Sequence, residues 1–305
     1  MKHIRDLAIG VTCVVLLSHS LWAQQIALTI DDAPCFNSEL YNAMERSQLL
    51  LKHLNEAKVR QVVFFVNGKC ASSQHGLQRV QMVAEAGHLI ANHSYHHWDF
   101  DNIKTTTYTH DILKAEQVIS HLPNYRKWYR APLLHEGNTR EKRDHLREFL
   151  KQHGYINGYV TIDTWEFYIN YLVQKGVKQG RQFNLENLRK VYLAHMWHAV
   201  EFYENVAQQF FPHPVKHTLL LHDNDVTALF IKDLVELLRE KGWTIISPEN
   251  AYNDPLLHTA PDVLLNNQGR VMAIAKSKGY PGPYRSGEDE HTIEEMFVRY
   301  QVWEN

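Results

Sequence analysis

The 305 residues carry 32 Lys plus Arg against 34 Asp plus Glu, and 44% of them are hydrophobic. Such near balance excludes the strong electrostatic field by which a chain binds nucleic acid or an anionic membrane, and leaves a neutral polymer or a small ligand as the better partner. The length suits one large domain, or a domain with a small appendage, and the apolar fraction is ordinary for a globular core.

Met1-Lys2-His3-Ile4-Arg5, an apolar run from Ile9 to Leu17 and Leu21-Trp22-Ala23 before Gln24 follow the grammar of a secretory signal peptide over residues 1–23. The run is too short, and too interrupted by Ser18, His19 and Ser20, for a bilayer span, which needs about 20 apolar residues. The expected location is therefore the periplasm or the outside of the cell, with no membrane span in the mature chain. There, Cys35 and Cys70 meet an oxidising environment in which a disulfide and two buried thiols are both open.

From Gln25 to about Ser247, short apolar runs alternate with longer stretches of helical period, the pattern of βα units on a parallel sheet. Strands are expected over 26–30, 62–66, 88–91, 127–130, 155–162, 218–221 and 243–246. Helices are expected over 39–58, 74–86, 107–121, 139–153 and 226–241, with Gly87, Gly154 and Gly242 just past three helix ends, where a left-handed cap favours glycine. Seven strands favour a distorted (β/α) barrel over an open sheet. The connection over 166–217 is far longer than a βα loop and reads as a helical insertion before the sixth strand, with Leu188, Val191 and Tyr192 on its apolar face and Pro212 and Pro214 ending it. Residues 24–255 are expected to form the domain and 256–305 an extension packed on it.

Polar groups follow the strand ends. Asp31 and Asp32 are adjacent carboxylates after an apolar strand, a place where barrels put catalytic groups, and a cation is the simplest way to hold two such charges together. A helix-capping turn is the plain alternative. Asn92-His93-Ser94-Tyr95-His96-His97-Trp98 again follows a strand. A helical turn would set His93 and His97 on one face to share a divalent ion, with His96 as a rival second ligand. Arg130, Asp163 and His222 end three further strands. Each alone could be an isolated loop charge, but five polar strand ends on one barrel face point together to chemistry.

In order and spacing these residues resemble the polysaccharide deacetylases of the NodB-homology type (carbohydrate esterase family 4). Thr29-Ile30-Asp31-Asp32 is similar to the family's Thr-Phe-Asp-Asp, and His93-Ser94-Tyr95-His96-His97 to its His-Ser/Thr-x-x-His. Arg130-Ala131-Pro132, Asp163 with Trp165, and Leu219-Leu220-Leu221-His222 resemble its later motifs. The resemblance implies metal-dependent removal of acetyl groups from N-acetylated sugars of a polysaccharide or oligosaccharide. It selects His97 over His96, and implies Asp32, His93 and His97 as ligands of a divalent ion, usually Zn2+. Asp31 is implied as general base and His222 as general acid, with Arg130 orienting Asp31 and Asp163 tuning His222. Leu133 and Trp165 are implied at the substrate, with a backbone N–H near Leu133 as oxyanion donor.

The chain departs from the family pattern in two places. Leu133 replaces the usual aromatic residue after the Arg-x-Pro motif. Trp165 lies one position closer to Asp163 than usual, with Glu166 following it. An O-deacetylase of esterified polysaccharide is the enzymatic alternative, because the same attack serves esters. A catalytically silent carbohydrate-binding member is the other, although the lost base or ligand expected of it is absent here.

Overall fold

The computed structural model describes residues 24–34, 36–255, 258–286 and 289–304. The expected leader and Cys35 lie outside them, and Cys70 carries a free thiol.

Seven parallel strands, β1 (Gln25–Ala33), β2 (Val63–Val66), β3 (Leu89–Asn92), β4 (Tyr125–Tyr129), β5 (Ile156–Asn157), β6 (Lys216–His222) and β7 (Thr244–Ile245), make one sheet. Its order is β5-β4-β3-β2-β1-β6, with β7 paired to the start of β1 through Gln25 and Ile26. The sheet is parallel because helices return the chain over its outer face: α1 (Ala43–Glu56), α2 (Gly68–Ala71), α3 (Gln74–Glu85), α4 (Thr105–Ile119) and α5 (Arg140–Gln152) join the first five strands. Gly87, Gly154 and Gly242 do adopt positive φ where helices end.

The strand expected over 155–162 is the main correction. Only Ile156 and Asn157 pair with β4, after which the chain leaves the ladder and returns as an isolated parallel bridge between Ile162 and Leu219 of β6. Gly158 N–H still donates to Tyr129 O at 2.6 Å, and Leu220 N–H donates to Ile162 O at 3.1 Å. This irregular crossing joins the two ends of the sheet and makes the barrel a distorted one. Gly158 is needed there, since a Cβ would lie 2.5 Å from the Phe65 ring.

The insertion is two helices, α6 (Glu166–Lys178) and α7 (Leu185–Phe210), the second closed before Pro212 as its sequence requires. After β6 come α8 (Asp225–Glu240), α9 (Pro248–Tyr252), α10 (Arg270–Ser277) and α11 (Glu290–Arg299). Leu188, Val191, Tyr192, Met196 and Val200 of α7 are fully buried, in the same core as Val271 and Met272 of α10 and Ile293 of α11. Among the described residues, no helix is long and apolar enough to cross a membrane.

Candidate metal and active site

The site stands at the carboxyl ends of β1, β3, β4 and β6. In a regular strand successive side chains face opposite ways, which would part Asp31 from Asp32. Here the β1–β2 register shifts between Ile30 and Ala33, and Asp32 takes a left-handed φ of 64°. This bulge turns both carboxylates into one cleft of about 230 Å³.

His93 and His97 meet by another route than the expected helical turn. Residues 93–98 are loop, with positive φ at Ser94 (64°) and His97 (58°). The Asp111 carboxylate accepts from the N–H groups of Tyr95 and His96, and Ser94 Oγ accepts from His97 N–H, so the curled loop is held by its neighbours. The two imidazole centroids lie 5.0 Å apart. His96 is drawn away: its Nδ1 sits 2.5 Å from Asp111, and its ring stacks on Trp98. Strained φ values cluster at this site, Leu133 and Leu134 included, where packing over-determines them.

Asp32 Oδ1 lies 3.6 Å from His93 Nε2 and 3.1 Å from His97 Nε2, and these three residues form a group able to hold a metal ion. Their chemistry fits one. His93 Nδ1 lies 2.9 Å from the Arg130 carbonyl oxygen, so the proton sits on that nitrogen and Nε2 offers its lone pair to the cleft. Burial lowers the His93 pKa and keeps the ring neutral, as a ligand must be. Burial opposes charge on Asp32 too, but the His97 hydrogen bond and charge, with His93 and His222 behind them, hold its carboxyl far below the usual range. Burial also lowers the His97 pKa, and there the hydrogen bond and charge of Asp32 outweigh it and raise the net value.

Asp31 is buried beside this group, its Oδ2 at 3.6 Å from His93 Nε2. Arg130 holds its other oxygen through NH1, while Arg130 Nε donates to Gly158 O and NH2 to Tyr252 Oη at 2.9 Å. The guanidinium also lies 3.9 Å from the centre of the Phe65 ring, so it is fixed on every side.

His222 is held by Glu166, which the sequence did not place beside it. Its Nδ1 lies 3.0 Å from Glu166 Oε2, and Glu166 also accepts from the His222 backbone N–H at 2.8 Å. Glu166 is the first residue of the insertion helix α6, and Asp163 lines the same cleft with Trp165 and Leu133. Burial would lower the His222 pKa, but the Glu166 charge and hydrogen bond, then Asp32 and Asp31, push it up to about 10.

The cleft also holds Phe167, Asn267 and Arg285, which sequence reasoning missed. Asn267 and Arg285 come from the irregular tail, where no periodicity marks a site. Glu166 did leave a signal, as the acid beside the displaced Trp165.

Fold and site together define an α/β barrel protein with a His-His-Asp centre at the carboxyl edge of its sheet. Residues 21–157 match the family model described as polysaccharide deacetylase. A peptidoglycan-N-acetylglucosamine deacetylase of Bacillus cereus is 29% identical over 109 residues, 35% of this chain and 36% of that protein. The chain thus aligns with little more than a third of that curated relative. Among solved structures, a family 4 carbohydrate esterase pseudoenzyme from Bacillus anthracis superposes with a TM-score of 0.53 at 18% identity, over 76% of this chain and 66% of that one. A mutant of that pseudoenzyme, described as having restored enzymatic activity, superposes with a TM-score of 0.52 at 18% identity, over 76% and 68%. These likenesses support the barrel fold.

Proposed function

We propose that the chain hydrolyses the acetamide of N-acetylglucosamine-type residues in a polysaccharide or oligosaccharide, releasing acetate and a free amine. The observation that carries this reading is the meeting of an intact His-His-Asp group, a buried Asp31 and a Glu166-held His222 in one cleft. Asp32, His93 and His97 would hold a divalent ion, most simply Zn2+, which when bound supplies a Lewis acid for the carbonyl and lowers the pKa of water.

This chain's own groups account for the protons. Asp31, with one oxygen fixed by Arg130, takes a proton from the attacking water as its oxygen bonds to the acetyl carbon. His222 is raised to about 10 and so is protonated at neutral pH, able to donate to the sugar nitrogen as the C–N bond breaks. Leu134 N–H is engaged by Ala131 O at 3.0 Å, and the neighbouring Leu133 N–H is the donor we assign to the developing oxyanion. Leu133 and Trp165 on the wall would meet the sugar, with Asp163 lining the same cleft. Export to the periplasm or beyond would bring the enzyme to such polymers.

The test is acetate release from N-acetylglucosamine oligomers, peptidoglycan and acetylated xylan by metal-stripped and zinc-reloaded protein. Zinc-dependent release from the amide substrates supports the proposal. Release from xylan alone would make it an esterase, and inactivity throughout would leave a carbohydrate-binding protein.

A further inference from the structure

Helix α6 does more than deliver Glu166. Phe167 and Tyr171 are four residues apart, so they lie one turn from each other on one helix face. Both are large aromatics left 42% and 49% exposed. Phe167 lines the catalytic cleft, its ring 5.6 Å from that of His222. Tyr171 lines a second groove of about 600 Å³, with Phe36, 71% exposed, also on its wall. The two depressions adjoin: Asp223 in the second groove donates its N–H to the Asp31 carbonyl at 2.9 Å.

Tyr171 is a prepared platform. Its ring stacks at 5.5 Å on buried Tyr168, whose hydroxyl is tied to Glu294 of α11 at 2.8 Å. A rigid, half-exposed aromatic face costs little entropy on binding and suits the apolar face of a sugar ring. The charge of the groove is equally ordered. Asp223 and Asp225 are buried and bonded to Arg46, and Gln174 Nε2 also donates to Asp225 at 2.7 Å. Lys175 and Lys178 stand exposed on the same wall; no ion pair among the described residues engages either, and the Lys175 Nζ lies 5.6 Å from the centre of the Tyr171 ring, beside the platform. Glu39 is the exposed acid among the lining residues.

We propose that this groove is a second sugar subsite of the same enzyme. It would bind a neighbouring ring of the polymer on Tyr171 and Phe36, and take a carboxylate carried by that chain on Lys175 and Lys178. The preferred substrate is then an acid-bearing N-acetylated glycan rather than a neutral one. This rests on the deacetylase reading for its substrate, but the subsite can be tested separately.

Binding is measured by titration calorimetry with the zinc-loaded protein, and KM and kcat by acetate release, on three probes: an N-acetylglucosamine disaccharide, a neutral hexamer, and a carboxylate-bearing glycan of the hexamer's length. Tyr171→Ala, or independently Phe36→Ala, should weaken binding and raise KM for both long probes roughly tenfold, with the disaccharide unchanged. Lys175→Gln with Lys178→Gln should do so for the acidic glycan alone and flatten its salt dependence. Equal binding of all three probes by every variant would overturn the subsite. An unchanged preference in the lysine variant would overturn its acidic specificity. Calorimetric binding that follows these patterns without acetate release would uphold the subsite and remove the deacetylase reading instead.

Discussion

Asp31 and Asp32 are chemically identical neighbours given different surroundings by one left-handed residue. Asp32 faces two imidazoles, whereas Asp31 is clasped by Arg130. Asp32→Asn should therefore lose zinc, since the site is left with no anionic ligand, and its activity should follow occupancy. Asp31→Asn should keep zinc and lose turnover by about 10² to 10⁴, without rescue by added metal. Zinc content measured beside rate for both variants decides it, and loss of zinc from Asp31→Asn alone would reverse the assignment. Glu166 sets a second expectation. It raises the His222 pKa to about 10, so on the proposed mechanism activity should fall above that pH. Glu166→Gln removes the raising charge, and the alkaline limb of kcat/KM should move to lower pH by about one unit or more. An unmoved limb would reduce Glu166 to packing. The strand-end residues were legible because a polar group after an apolar run is conspicuous. The contact of Glu166 with His222 was not, because it depends on where α6 begins, which Trp165 and Glu166 do not reveal by period.

At the level of elements, legibility followed regularity. Strands such as β1 and β6 read clearly because Ile26, Leu28 and Ile30, and Leu219 and Leu221, are fully buried apolar residues of one continuous ladder. The crossing after β5 read as a strand because Tyr155 to Ile162 is apolar and aromatic, yet its backbone bonds go first to Tyr129 and then to β6. The His93 to His97 loop misread as a helical turn for a related reason: its shape comes from Asp111, a residue far away on α4 that no local spacing discloses. The crossing carries its own test. Gly158 lies against Phe65, and Phe65 lies under the Arg130 guanidinium that also donates to Gly158 O. Gly158→Ala should push the ring and loosen Arg130, costing about 1–3 kcal/mol of stability by overpacking and lowering turnover through Asp31. A denaturation midpoint and a rate both equal to the parent's would show that the crossing relaxes freely.

Across the whole molecule, the residues after 255 are built into the domain on two sides. Met272 and Val271 of α10, and Ile293 and Phe297 of α11, share the core that α7 fills. The extension also delivers a buried charge: Arg270 NH2 lies 3.6 Å from Glu136 Oε1, and the Glu136 carboxyl is held below its usual range, against its burial, by Arg270 and Arg147. A further tie is the antiparallel bridge between Phe183 and Trp303, joining the loop before α7 to the last described residues. Asn267 and Arg285 complete the cleft at the strand ends from the same tail, the Arg285 guanidinium 4.7 Å above the Trp165 ring. An appendage that merely rested on a finished domain would leave a stable remainder when removed. Here removal uncovers fully buried α7 side chains and leaves Glu136 without one of its two principal cations. A chain ended at Pro255 should therefore lose its cooperative thermal transition and bind a hydrophobic dye at neutral pH, with zinc-dependent activity gone. A truncated protein that melts sharply near the parent's Tm and keeps its zinc would show instead that residues 24–255 fold alone.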